Sequence, residues 1–178
     1  TYVRGAVSQE VRQTFALQSD GETPWLTQIC RLSTGDRFFS CELTVGEIPT
    51  EVKGSKKTLR SGKEGVSRFT TSIASAAELL TDSHGRDMLL RKRNSRPSWN
   101  VTVLEPVAGN YYPITAAVAI KDAKAQLTIL VDRAQGTGSI SDGELEIMVH
   151  RRVLKSDSDG VYEPLNETQF ISPYAASK

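Results

Sequence analysis

Histidine, cysteine, methionine and tryptophan occur only twice each in these 178 residues. Structural and catalytic metal centres draw three or four imidazole, thiolate or carboxylate ligands to one point. Here His84 and His150 are the only imidazoles, and neither stands at a ligand spacing from Cys30 or Cys41. No metal site is therefore expected within this segment. Charge of one sign is also lacking: 22 basic side chains face 21 acidic ones, a formal net charge of +1. Such a chain has no overall field to draw it to nucleic acid or to an anionic membrane. No apolar run approaches the roughly 18–20 residues of a membrane helix, and the opening TYVRGAVSQE lacks the apolar centre of a signal peptide. The sequence thus reads as a segment that neither crosses nor binds a membrane. Helical periodicity, internal repeats and low-complexity tracts are missing as well. No Ser-His-Asp arrangement is visible, and Gly136-Thr137-Gly138 lacks the strand-to-helix setting of a phosphate-cradling loop.

What is present is a series of short runs rich in β-branched and aromatic residues, separated by turn residues. The pattern predicts strands over Val11 to Leu17, Trp25 to Leu32, Arg37 to Val45, Ser67 to Ile73, Trp99 to Leu104, Tyr112 to Ile120, Gln126 to Arg133 and Glu144 to Arg152. Within the sixth, Ile114, Ala116, Val118 and Ile120 alternate with Thr115, Ala117 and Ala119; within the eighth, Leu145, Ile147 and Val149 alternate with Glu144, Glu146, Met148 and His150. Period-two alternation buries one face of a strand. Turns are expected at Thr34-Gly35-Asp36, Ser83-His84-Gly85, Lys121 to Lys124 and Ser141-Asp142-Gly143. Ala74 to Leu80 fits either a helical turn or a strand. The fold class is therefore all-β, an antiparallel β-sandwich, and 178 residues suit one such unit over 1–178.

Residues 53–63 stand apart: Lys53, Lys56, Lys57, Arg60 and Lys63 share this stretch with Gly54 and Gly62 and little apolar content. It reads as a flexible basic surface loop. Without interleaved aromatics it makes a poor nucleic-acid platform. Cys30 and Cys41 flank a turn; if Gly35-Asp36 closes a two-residue hairpin they face each other across the strands. A direct cross-strand disulfide is geometrically demanding, so two buried thiols acting as small apolar residues is the simpler reading.

Few residues invite a chemical role. His84 reads as a turn residue and His150 as a packed or hydrogen-bonded strand residue. Glu144 and Glu146 share a strand face and could pass for a carboxylate dyad, but a solvated strand face is the plainer reading, since glycosidase acids are recognised by separation in space and not along the chain. Tyr111 and Tyr112, before Pro113, are the sharper candidates. A tyrosine offers a flat apolar face to sugar C–H groups and a hydroxyl to a sugar hydroxyl, although from the residues alone an aromatic pair before a proline is more often structural. Asn100-Val101-Thr102 and Asn166-Glu167-Thr168 are potential glycan acceptors.

The segments QEVRQTF, VGEIP, GKEGVSRFTT, TDSHGRD, RPSW, PVAGNYYP, QLTILVDRAQG, GELEIMVHRR and DGVYEPLNE occur in that order. Together they resemble the region after the catalytic barrel in the zinc-dependent class II α-mannosidases of glycoside hydrolase family 38, of the lysosomal or vacuolar type. The resemblance covers nearly the whole chain. It departs from the family at GTGSISDG, where GGSSL is more usual, at VLKSDSDGVY, where RLL-DD-RG is common, and at His84, where Asn is usual in a DSNGR turn. It implies a galactose-mutarotase-like supersandwich segment of a larger retaining enzyme that cleaves terminal α-mannosyl bonds in N-glycans and oligosaccharides. Its zinc ligands and catalytic acids would lie outside this segment. It also implies that a tyrosine of Tyr111-Tyr112 reaches the mannose pocket, with Asn110, Asp132 and Arg133 holding that edge. The implied partners are mannose-containing oligosaccharides and the catalytic barrel of the same protein. The implied compartment is lysosomal, vacuolar or secreted, with glycans on Asn100 and Asn166. The alternative is a noncatalytic carbohydrate-binding or structural β-sandwich module.

Overall fold

The computed structural model describes residues 1–16, 24–52, 59–156, 158 and 164. The centre of the basic loop, 53–58, and the acceptor Asn166 lie outside the described residues. The chain divides into two compact units, Thr1–Lys63 with Arg151–Lys178, and Glu64–His150.

In the first unit, β1 (Tyr2–Arg4), β2 (Ser8–Phe15), β3 (Leu26–Ser33) and β4 (Ser40–Val45) form an antiparallel sheet in sequence order. In a separate two-stranded sheet, β5 (Glu51–Val52) pairs with β6 (Leu59–Arg60) across the basic segment. Register sorts the side chains by face. Tyr2, Val11, Cys30 and Cys41 form one row and Phe15, Leu26 and Val45 another on the same side. The opposite side carries Glu10, Arg12, Arg31 and Glu42. Glu10 accepts from Arg31 at 2.7 Å and from Arg12 at 2.6 Å, and Arg31 reaches Glu42 at 3.0 Å. Beside the two guanidiniums, Arg31 foremost, the Glu10 carboxyl is held below the usual carboxylate range.

Cys30 and Cys41 are directly paired in the β3–β4 ladder and joined by a disulfide, with Cα atoms 4.1 Å apart. This corrects the reading as buried thiols. Directly opposed residues of an antiparallel pair approach to about 4.5 Å where no ladder hydrogen bonds intervene, close enough to bring two Sγ atoms together. The turn that sets this register runs from Ser33 to Asp36, whose N–H donates to the Ser33 carbonyl at 3.1 Å.

The second unit is a sandwich of two antiparallel sheets. Its strands are β7 (Lys63–Thr70), β8 (Glu78–Ser83), β9 (Asp87–Lys92), β10 (Tyr111–Ile114), β11 (Ala117–Lys121), β12 (Gln126–Leu130), β13 (Gln135–Gly138) and β14 (Glu144–Arg152). One sheet has the order β10-β13-β14-β7 and the other β12-β11-β8-β9. Tyr112, Ile114, Leu145 and Ile147 of the first meet Leu79, Val118 and Ile120 of the second, with Ile73 at the edge and Leu127, Ile129 and Val131 packed against them. Each fully buried aliphatic or aromatic side chain contributes about 1.5–3 kcal/mol. Helix is limited, among the described residues, to a single 3-10 turn, Ala108–Asn110.

The strand expected over Tyr112 to Ile120 is two strands in different sheets. The cause is Asp82, only 6% exposed. Its Oδ1 accepts the N–H groups of Thr115 at 2.8 Å, Ala116 at 3.0 Å and Ala117 at 3.1 Å, and its Oδ2 accepts the Gly85 N–H at 2.8 Å and the Thr115 hydroxyl. Three consecutive amides drawn to one oxygen cannot continue a ladder, so the chain turns there from one sheet to the other. Trp99 to Leu104 is not a strand: it has β-branched residues but no ladder partner, and Trp99 and Leu104 are exposed. Conversely, Glu78–Ser83 and Asp87–Lys92 form a hairpin although leucine, aspartate and methionine give them little β propensity. His84 and Gly85 take φ values of +53° and +68° at its tip, the paired positive φ of a tight hairpin turn. Ala74 to Leu80 resolves into a turn followed by β8. Gly143, at φ +76°, lies so close to the chain that an added Cβ would meet the Thr71 carbonyl oxygen at 2.6 Å, which makes this glycine obligatory.

Burial pushes the Asp82 carboxyl up, but the Thr115 hydroxyl and the amides of Ala116, Ala117 and Thr115 outweigh it and hold it below the usual carboxylate range. A depressed folded pKa contributes stability that is complete above the unfolded value of about 3.9 and is lost as pH falls through the folded value. Asp82→Ala is expected to cost on the order of 3 kcal/mol or more at pH 7, because it strands buried amides. Its deficit relative to the parent chain should narrow below about pH 4. Thermal melts from pH 2 to pH 7 check this, and a deficit independent of pH would contradict it.

Candidate functional site

The phase of β10 decides what the tyrosine pair can do, because adjacent strand residues face opposite sides of a sheet. Tyr112 points into the sandwich and is 8% exposed. Its hydroxyl accepts a hydrogen bond from Arg96 Nη1 at 2.6 Å, and the guanidiniums of Arg96 and Arg91 lie 4.9 and 5.0 Å from the ring centroid. Arg96 also donates to the carbonyls of Ser95 and Gly109, so Tyr112 anchors the segment that leads into β10. Its hydroxyl is committed to the fold.

Tyr111 lies on the outer face, half-buried. It pairs with Gly138 of β13, which pairs in turn with Glu146 of β14. The glycine leaves the row open, and the tyrosine ring lies across it: a Cβ on Gly138 would sit 3.0 Å from ring carbons, and one on Gly136 3.4 Å. The Tyr111 hydroxyl reaches over this gap and donates to Glu146 Oε1 at 2.8 Å. Glu146 is 3% exposed. Its Oε2 accepts from Arg68 Nε at 2.6 Å and is paired with Arg68 Nη2. Burial first, and the adjacent Glu146 carboxylate second, push the Tyr111 phenol well above its ordinary value. Glu146 in turn raises Arg68. The row Tyr111, Gly138, Glu146 and Arg68 is a fixed arrangement of phenol, carboxylate and guanidinium on one sheet face.

This corrects the reading of Glu144 and Glu146 as a solvated face, since Glu146 is buried and serves both Arg68 and Tyr111. Arg68 did not stand out in the sequence, and Glu146 did so only as half of a pair with Glu144. The available signals were an acidic residue inside an apolar strand and the Gly-x-Gly spacing of β13, which matches the footprint of one aromatic ring.

The other candidates fall in different places. Asn110 is 2% exposed; its Oδ1 accepts the Asn94 N–H at 2.8 Å, and its Nδ2 donates to Asn94 Oδ1 and to the Pro106 carbonyl, each at 2.8 Å. It ties two loop segments together just before β10. Asp132 and Arg133 are exposed and bound to each other at 2.8 Å. Among the described residues no hydrogen bond joins them to Tyr111, Tyr112 or Asn110. Asn100 is exposed in the irregular stretch that follows Pro97. His84 occupies its turn, His150 is exposed on β14, and no group of three or more His, Cys, Asp or Glu converges among the described residues. These residues do not fit a zinc ion.

Fold and site together define an all-β sandwich whose outer face presents a carboxylate-anchored tyrosine. Residues 1–159 match the model of the glycosyl hydrolases family 38 C-terminal domain, and the chain belongs to that family. It is 48% identical over 93% of its length to lysosomal alpha-mannosidase of Cavia porcellus and 44% identical over 93% to that of Homo sapiens. To a probable alpha-mannosidase of Arabidopsis thaliana it is 43% identical over 98% of its length. It spans about 15% of the length of these curated relatives, 15% of the first two and 16% of the third.

The different surroundings of the two tyrosines predict opposite costs. Tyr112→Ala empties a core position and is expected to lower stability by roughly 3–5 kcal/mol. Tyr112→Phe, which removes only the acceptor for Arg96, is expected to cost about 1 kcal/mol. Denaturant unfolding of both variants checks this. A Tyr112→Ala variant as stable as the parent would contradict the inward placement.

Proposed function

We propose that this chain is the β-sandwich part of a retaining, zinc-dependent α-mannosidase that releases terminal α-mannosyl residues from N-glycans and oligosaccharides. The observation that carries this reading is 40–48% identity to proteins named as alpha-mannosidases over more than nine tenths of the chain. Zinc and the catalytic carboxylates would be supplied elsewhere in the longer polypeptide. The role of this part is to support the catalytic barrel and to bring a tyrosine to the edge of the mannose pocket. Tyr111 is the better placed of the pair, being half-buried on an outer face, whereas the Tyr112 hydroxyl is held by Arg96. Asn110 serves that edge indirectly, by tying the loop ahead of β10 to Asn94 and Pro106, and Asp132-Arg133 is an exposed pair that would meet a ligand only from the loop after β12. An exposed apolar face on the first unit's sheet, including Tyr2, Val11, Phe15 and Leu32, is consistent with a supporting role. The proposed compartment is the lysosome or vacuole, or the secretory route that leads there. The Cys30–Cys41 disulfide suits an oxidising route, and exposed Asn100 is the better supported of the two glycan acceptors.

The test is an assay with a chromogenic α-mannoside and added zinc, run on the longer polypeptide and on this chain alone. Only the longer polypeptide should turn over. There, Tyr111→Phe should lower kcat/KM by the equivalent of about 0.5–1.5 kcal/mol without a matching loss of Tm. Turnover by this chain free of the longer protein would contradict the division of labour. Unchanged kinetics in Tyr111→Phe would remove the tyrosine from the pocket.

A further inference from the structure

A phenolic hydroxyl has one proton to give and lone pairs with which to accept. At Tyr111 the proton is directed to Glu146 Oε1 at 2.8 Å. Glu146 cannot return one, because a carboxylate only accepts, and its other oxygen already accepts from the Arg68 guanidinium. The ring packs on Gly136 and Gly138, and its hydroxyl bond to Glu146 holds it there. A ligand that meets this hydroxyl therefore finds only an acceptor, and it must bring an O–H or N–H of its own.

Resting on the reading of Tyr111 as a pocket residue, we propose that Glu146, held by Arg68, is a positioning residue that makes the Tyr111 hydroxyl an obligate hydrogen-bond acceptor and so selects a sugar hydroxyl that donates. The chemistry separates ligand classes. Sugar hydroxyls can donate, whereas carboxylate, sulfate and phosphate oxygens cannot. Glu146 thus acts through Tyr111 and need not touch the sugar.

The test uses the longer polypeptide and a panel of methyl α-mannosides, each with one hydroxyl replaced by fluorine, measured as competitive ligands. Fluorine can accept weakly but cannot donate. In the parent protein, one position of the panel should bind about tenfold more weakly than methyl α-mannoside, the equivalent of one lost hydrogen bond. Tyr111→Phe should abolish that discrimination. Glu146→Gln should cut it to roughly threefold or less, because the amide can donate to the phenol and turn its proton outward. The double variant should match Tyr111→Phe. If Glu146→Gln fails to fold, Arg68→Gln at its half-exposed position removes the guanidinium that fixes the carboxylate's orientation, so the phenol proton is directed less strictly and the same discrimination should weaken.

The two ideas fail differently. Loss of discrimination in Tyr111→Phe with full retention in the Glu146 and Arg68 variants overturns the positioning role and leaves the tyrosine in the pocket. Discrimination that survives Tyr111→Phe overturns the pocket reading, and the proposal with it.

Discussion

The Asp82 carboxylate turns the chain from one sheet of the sandwich into the other, and the arrangement of the candidate site depends on it. A buried carboxylate is costly unless its lone pairs are satisfied. Here three consecutive amides, a fourth from Gly85 and the Thr115 hydroxyl supply that compensation. The same bonds end β10 at Ile114 and start β11 at Ala117. With the end of β10 fixed and Ile114 in the core, period two leaves no choice upstream: Tyr112 goes in and Tyr111 goes out.

The outer face then assembles by cross-strand register. Tyr111, Gly138 and Glu146 stand in one row, and the missing side chain at Gly138 is what lets a ring on β10 reach a carboxylate two strands away. Glu146 resembles Asp82 in being buried and compensated, but its partners are side chains. Removing one partner of such a group leaves the rest exposed to the full desolvation cost, so the row is expected to behave as a unit. The sheet of the first unit follows a simpler rule, with charges paired on one face and apolar residues and the disulfide on the other.

Strands carrying β-branched residues next to clear turns, such as Gln126–Leu130 and Glu144–Arg152, were legible in the sequence, as was the all-β class. The hairpin of β8 and β9 was not, since its pairing comes from tertiary contact and a tight turn and owes little to propensity. Trp99 to Leu104 misled in the opposite direction: its composition suits a strand, but nothing pairs with it. The tyrosine pair was recognisable as a candidate, yet its orientation hung on Asp82, about thirty residues upstream, through a contact that no local pattern reveals. The Cys30–Cys41 bond was within reach of the hairpin register, and only the strictness of cross-strand geometry argued against it. Glu146 was hidden because an alternating strand suggests a solvated polar face, and burial there comes from a ring on a different strand.

The central claim is that adjacent tyrosines are held on opposite faces of β10. Hydroxyl-radical footprinting of the folded chain, read residue by residue by tandem mass spectrometry, tests it most directly. The account predicts that Tyr111 is labelled under native conditions while Tyr112 is protected until the sandwich unfolds. Labelling of Tyr112 as fast as or faster than Tyr111 in the native state would contradict it.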